Sequence, residues 1–474
     1  MSNRRRFLIA SRLGRTADAQ ISSQVDAFLA RSEAARAVRS TTLGRRVLEL
    51  DDAARSELVA RHPHLIVEED QPLKLFPMPG LPDIALTEEK YSREAIVVDE
   101  STDRPVPNVT LYGVGLGAGY KTLTDVKGEA RLITAESKLA SVIASPQHSY
   151  WSRVVSNVSL TDATPLRIPL RPLQQMPSYS WGHRLMQFDR VHPRWTGRGV
   201  RIALLDSGVI DSLTDFHPAG GLNTLDGGDP RAWNVDEHGH GTHCAGIVAA
   251  GPLARGVRGG APDANLFVLK VFPGGFVSDL VEAVEWCVLN DIDIINMSLG
   301  SAARSEVLGA ALLEAHEHGV TAIAAVGNDA TRVAYPAAFP TVIAVSAIGR
   351  YGTFPLDSAH VLKVGDQVDR TGLLFAANFA NFGPEVTVTA PGVAVLSTVP
   401  SGYAAWDGTS MASPMVTALA GLILETYPWM RTRTAAQPEY VRECLVGAAV
   451  DLGLPAWYQG RGLPRALSAL SGAV

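Results

Sequence analysis

The sequence predicts an α/β fold built on a parallel sheet with helices on both faces. Short apolar runs at 200–205, 266–271, 292–297, 321–325 and 342–345 alternate with helical patterns such as 279–290 and 306–318. Repeated βα units of this kind close as a buried parallel sheet. Hydrophobic residues make up 46% of the 474 and charged residues 19%, so a large core is available and wholesale disorder is excluded. A chain of this length holds about three domains, and the sequence before residue 175 divides accordingly.

Residues 1–76 read as a small α+β domain. Strands are expected at 7–11, 46–50 and 65–67, with an amphipathic helix at 21–31. Asp51 caps a second helix that runs to Arg61 and stops at His62-Pro63. Residues 77–91 read as a linker, since Pro77, Pro79, Gly80 and Pro82 disfavour regular structure. Residues 92–172 look all-β and sandwich-like, with strands at 95–98, 109–114, 130–133, 140–144 and 166–170 and a turn at Asp125-Val126-Lys127-Gly128. Nothing in that stretch suggests chemistry, so a spacer or a docking site for a protein partner is expected. Residues 175–474 form the α/β domain.

Several classes are excluded. Lys and Arg total 42 against 48 Asp and Glu, a net charge of −6, which argues against a nucleic-acid partner. No run approaches the roughly 18 apolar residues of a membrane span. Three cysteines exclude a disulfide-built scaffold. Arg4-Arg5-Arg6-Phe7-Leu8 resembles a twin-arginine export signal, but the apolar run ends at Ala10, short of the roughly 7–15 residues such a signal needs. The compartment stays open: cytoplasmic, or exported by an unrecognised route.

Three segments carry the chemistry. In the first, Asp206-Ser207-Gly208, a carboxylate stands where a buried strand ends, the place where open parallel sheets form their sites. The second is His238-Gly239-His240-Gly241-Thr242-His243-Cys244. Its three histidines invite a metal reading, but no His, Cys or acid set elsewhere completes a zinc site. The third is Gly408-Thr409-Ser410-Met411-Ala412-Ser413-Pro414, followed by an apolar helical run. Proline favours the first helical turn, which puts Ser410 at a helix N-terminus, where free N–H groups stabilise an oxyanion.

Asp-Ser-Gly, His-Gly-Thr-His and Gly-Thr-Ser-Met-Ala-Ser-Pro, in that order, closely resemble the three signatures of the subtilases, the subtilisin-like serine peptidases. Ala325-Val326-Gly327-Asn328 is similar to the family's oxyanion-hole segment and Ser298-Leu299-Gly300 to its substrate-pairing strand. The likeness covers roughly 181–470 and implies a subtilisin-like parallel sheet flanked by helices. It also implies serine endopeptidase chemistry through an acyl-enzyme. Ser410 would be the nucleophile, His240 its base and Asp206 the group that orients the imidazole. The Asn328 amide and the Ser410 N–H would hold the oxyanion. His238 and His243 are alternatives to His240 until the motif is aligned; only His240 then starts His-Gly-Thr-His. Ala334, with Tyr335-Pro336, aligns with the specificity pocket, where the extra methyl makes it shallower, and Asp329 stands at its rim.

The resemblance also implies departures. The segment 250–258 replaces the family's calcium loop but offers no Asn or Asp and carries Arg255 and Arg258. No cofactor or metal is therefore expected, although calcium elsewhere stays open. Residues 351–376 read as a surface insertion. Residues 1–76 resemble the family's propeptide, an intramolecular inhibitor whose tail, Val67-Glu68-Glu69-Asp70 through Phe76, would lie in the cleft as a strand against Ser298–Gly300, with Leu73 and Phe76 in its apolar pockets. Cleavage at Phe76–Pro77 would be slow, because proline crowds the leaving nitrogen. The expected substrates are proteins or peptides. Two other readings stay beside this one: a binding module that docks a partner on the β-sandwich, and a processing protease with a single substrate.

Overall fold

A computed structural model describes residues 4–12, 15–75, 90–115, 119–173, 178–191, 193–210, 215–251 and 256–471. The expected linker 77–91 lies outside these residues up to 89; Tyr91 already belongs to a strand, Tyr91–Asp99.

The first unit is a four-stranded antiparallel sheet in the order Ala35–Ser40, Arg46–Leu50, Arg5–Ser11, Leu65–Glu69, with helices Arg15–Leu29 and Asp52–Arg61. Asp51 caps the second helix as expected, its carboxylate accepting from Ala54 N at 2.9 Å. Successive strand residues face opposite sides, and both sides are used. Phe7, Ile9, Leu48 and Leu50 pack under the unit's own helices with Val25, Phe28 and Leu58. Leu8, Ala10, Val47 and Ile66 point the other way, into a core shared with Val277, Leu280 and Leu308 of the large sheet's helices. The strand at 35–40 escaped the sequence reading because its alternation is polar and only half-buried.

Residues 91–170 form two sheets, Arg153–Ser159, Lys138–Pro146, Val109–Val114, Gly119–Leu123 and Leu166–Leu170, Tyr91–Asp99, Glu129–Thr134. They close on one core that includes Val97, Leu111, Leu132, Val142 and Ile168. Every strand expected there is present. Gly119–Leu123 and Arg153–Ser159 are additional edge strands whose polar sequence hid them.

The largest sheet runs Gly220–Asn223, Asn265–Lys270, Arg201–Asp206, Ile294–Met297, Thr321–Ala325, Val342–Arg350 in parallel, and Val386–Pro391 also pairs with the last of these. The α/β class is thus as the sequence indicated. Strand Arg201–Asp206 has neighbours on both sides that were added in opposite directions, Leu205 facing Leu269 and Met297. Such a switch point opens a crevice at the carboxyl ends of the strands.

Two expectations need correction. Residues 351–376 are not a mere surface insertion. Leu374–Ala377 pairs antiparallel with the far end of Val342–Arg350, and Phe375 is fully buried. The same segment docks the two-sheet unit, with Val154 N donating to Asp357 O at 2.7 Å and Arg153 paired to Asp357 at 3.4 Å. Pro414, second, is not in the first helical turn: the helix begins at Thr409, which puts proline inside it.

Phe375→Ala should lower the unfolding free energy by about 3–5 kcal/mol, the usual cost of emptying a buried aromatic site. Denaturant titration checks this; a change near zero would return the segment to the surface.

Candidate active site

Three strand ends supply the floor of the crevice. Asp206 closes Arg201–Asp206 and is fully buried. Ser298 follows Ile294–Met297, and Asn328 follows Thr321–Ala325 by three residues. Two helices point their N-termini into the same space, His240–Ala249 and Thr409–Thr426.

His240 Nδ1 donates to Asp206 Oδ1 at 2.7 Å. That bond fixes the tautomer and leaves Nε2 as the nitrogen available to a reacting group. Burial pulls the imidazole's pKa down, but the Asp206 charge and hydrogen bond, with Asp236 beyond, outweigh it and hold the pKa above the ordinary value. Asp236, which the sequence reading missed, organises this end of the helix. Its carboxylate accepts from Gly239 N (2.8 Å), Thr242 N (2.9 Å), Thr242 Oγ1 (2.6 Å) and Ser207 Oγ (2.8 Å). An acid a few residues before a helix start is a capping signal, and it could have been found on that ground.

Ser410 is the second residue of its helix, so its N–H is among the first four that have no intrahelical acceptor. The carbonyl of Ser410 is freed at the other end of the peptide, because Pro414 has no N–H to return to it. Ser298 Oγ donates to that carbonyl at 2.9 Å and the Cys244 thiol at 3.5 Å. Ser298 is held in turn by Asn296 Nδ2 at 3.0 Å, while Asn296 Oδ1 accepts from Ser413 and Thr417. Asn296 was also missed; a lone buried asparagine in an apolar strand was its signal. The Ser410 hydroxyl donates to the Ser298 carbonyl at 3.2 Å, and among the described residues it makes no hydrogen bond to His240.

Thr409 fixes Asn328. Its N–H and hydroxyl donate to Asn328 Oδ1 at 3.0 and 2.9 Å, so the amide NH2 is the end that lies beside Gly408, next to Ser410. Asn381 holds the following loop by accepting from Asp329 N and Thr331 N. Ala334 is buried against Ala325, and Tyr335-Pro336 is cis.

His243 is structural: buried, stacked on Trp406 at 4.7 Å and pushed by burial to a pKa of about 3. His238 is an exposed loop residue. Asp206, His240 and Cys244 bring one donor atom each within 4.8 Å of one another. Burial and the Asp206 charge push the thiol's pKa far up. The expected calcium-loop segment lies outside the described residues at 252–255.

The cleft holds the chain's own residues 71–75. Lys74–Leu75 pairs antiparallel with Leu299–Gly300, Leu299 facing Leu75 and Gly300 facing Lys74. On the other side Leu73 N donates to Gly275 O (2.8 Å) and Val277 N to Gln71 O (2.9 Å). Leu73 is buried; Phe76 and Pro77 lie outside the described residues.

Residues 197–463 match the family described as the subtilase family. The chain belongs to the subtilase family. It is 37% identical over 293 residues to subtilisin DY of Bacillus licheniformis, covering 60% of this chain and 95% of that protein. Subtilisin NAT of Bacillus subtilis subsp. natto is 36% identical over 280 residues, 57% of this chain and 65% of that protein. Minor extracellular protease Epr of Bacillus subtilis (strain 168) matches over 376 residues at 29% identity, 78% of this chain and 51% of that protein. This subtilase is a serine endopeptidase that works through an Asp-His-Ser triad.

Cys244 sits four residues after His240 and touches the Ser410 carbonyl. Iodoacetamide should leave it unmodified in the folded subtilase at pH 8, while an organomercurial that reaches it should slow the enzyme. Mass spectrometry beside an activity assay checks both, and Cys244→Ala should remove the mercurial effect.

Proposed function

We propose that Ser410 is the nucleophile, His240 the general base and acid, and Asp206 the group that holds the imidazole. The Asp206–His240 bond at the crevice, facing a serine at a helix N-terminus, is the observation that carries the assignment. The Ser410 hydroxyl turns from the Ser298 carbonyl to His240 Nε2 and attacks the substrate carbonyl as its proton passes to the imidazole. The Asn328 NH2 and the Ser410 N–H hold the resulting oxyanion, where loss of one such donor costs about 10²–10³ in kcat, a magnitude established on subtilisin. The imidazolium then gives its proton to the leaving amine, and water repeats the sequence on the acyl-enzyme. Side chains and water complete this reaction, so no cofactor is assigned and no calcium is placed at 250–258.

The substrate is an extended stretch of protein or peptide. Ser298, Leu299 and Gly300 on one side and 275–277 on the other offer backbone edges to it, with Ala334 in the specificity pocket. The tail at 71–75 already binds in this way, which supports residues 1–76 as a propeptide-like intramolecular inhibitor. Its last acids fit that role. Asp70 accepts from Ser278 N at 2.9 Å and Glu68 from Glu306 N at 2.8 Å, each at the start of a helix of the large unit, where an anion is favoured. Arg45, almost fully buried, pairs with Glu285 and, at 3.2 Å, with Glu314. Residues 92–172 would be a sandwich-like spacer or docking unit and 175–474 the catalytic domain.

Ser410→Ala should abolish fluorophosphonate labelling and hydrolysis while the protein stays folded; a persisting active-site label would refute the assignment. The raised His240 pKa means the imidazolium persists to higher pH, so kcat/KM should fall on acidification through a limb above 6.5. Asp206→Asn should move that limb down and lower kcat by about 10⁴. Arg45→Ala removes the cation beside buried Glu285, leaving it only the Thr41 hydroxyl and Leu43 N–H as donors, and should weaken the N-terminal unit's docking by about 3–5 kcal/mol, raising the turnover of the intact chain.

A further inference from the structure

The two-sheet unit at 91–170 reaches the active site. A cavity of about 370 Å³ lies between it and the catalytic body, bordered by Thr110, Tyr112 and His148 on one side and Glu237, His238 and Trp406 on the other. Its position along the substrate path follows from the tail. The tail runs from Lys74, opposite Gly300, to Leu75, opposite Leu299, and so advances toward Ser298 and the Ser410 hydroxyl bonded to it. A peptide that continues past the scissile bond leaves beyond Ser410. The cavity is bordered there, by the residues just before His240 and by Trp406, four before Ser410, and by none of 275–277 or 298–300.

We infer that this cavity binds the leaving-group side of the substrate, with the two-sheet unit as one wall, and that it selects an arginine side chain. The inference rests on Ser410 as nucleophile. Glu237 is exposed and has no ion-pair partner among the described residues. The neighbouring Asp236 carboxylate is fully engaged with the helix start. Trp406 offers an aromatic surface for a guanidinium while its stack with buried His243 keeps the ring in place. Lys121 already lies over the Tyr112 ring at 5.6 Å, which assigns the arginine to Trp406 and Glu237. Burial lowers the His148 pKa and so favours its neutral form, which leaves Lys121, over Tyr112, as the cation this wall brings near the cavity. The wall is anchored: Ser149 N donates to Tyr403 O at 2.8 Å, on the hairpin that carries Trp406.

The test compares three substrates on the full chain. Two internally quenched peptides share one N-terminal half and carry arginine or alanine just after the scissile bond. A coumarylamide carries the same half and no leaving-group residues. The parent should favour arginine over alanine by about tenfold in kcat/KM, and Glu237→Gln should reduce that ratio below about threefold. Thr110→Arg, which fills the wall and repels a cation, should slow both quenched peptides about tenfold relative to the coumarylamide. These are ratios within one preparation, so a loss of folded protein does not mimic them. A parent ratio near one, or ratios that neither variant changes, overturns the inference while coumarylamide turnover upholds Ser410. Absent labelling of Ser410 would overturn that assignment instead. Photocrosslinking of Ala-Arg-benzoylphenylalanine amide to the intact chain reads the same contact without turnover. Adducts at 110–112 or 146–148 support it, and none within 91–170 overturns it.

Discussion

The helix that starts at His240 approaches its neighbours at backbone distance, and the site depends on that approach. A Cβ at Gly241 would stand 2.0 Å from the Gly208 carbonyl, and one at Gly246 2.2 Å from Thr398 Oγ1. Any side chain at Gly241 would push His240 away from the strand end that bears Asp206. At Gly246 it would push the helix off the Val395–Val399 strand, whose Ser397 and Thr398 hydroxyls donate to His243 O and Thr242 O. The hairpin held there continues through Trp406 into Gly408 and Ser410. These two close contacts therefore set the distance between His240 and Ser410.

A second constraint is the polarity of helix ends. Asp236 at the His240 helix, Asn328 at the Ser410 helix, and Asp70 and Glu68 at the helices Val277–Leu289 and Glu306–Glu317 all satisfy N–H groups that the helix cannot. At three of these ends the acceptor is a fixed carboxylate. At Ser410 the Asn328 carbonyl takes only the first N–H, from Thr409. The Ser410 N–H remains for the oxyanion that the proposed mechanism forms. The same physics serves capping at one end and the proposed catalysis at the other.

Pro414 shows how a local rule and a global role diverge. Its sequence signal, a proline just after the serine, located the helix start correctly but for the wrong reason. Its effect is felt four residues earlier, where the Ser410 carbonyl loses a helical partner and takes Ser298 and Cys244 instead. That exchange ties the Ser410 backbone to Ser298, beside the strand Leu299–Gly300.

Spacing and residue type located the α/β class and the central strands, because each is a local pattern of burial; the resemblance to the subtilases, carried by short motifs, pointed to Asp206, His240, Ser410, Asn328 and the tail beside Ser298–Gly300. The edge strands at 35–40, 119–123 and 153–159 stayed hidden, since a half-exposed strand needs no apolar alternation. Asp236 and Asn296 left local signals, an acid ahead of a helix start and a lone asparagine in an apolar strand, but what each holds was decided by the partners that converge on it. The role of 351–376 and the wall that 91–170 builds beside Trp406 were decided by tertiary structure alone. Both depend on which surfaces meet across hundreds of residues, and no local pattern in the chain encodes that.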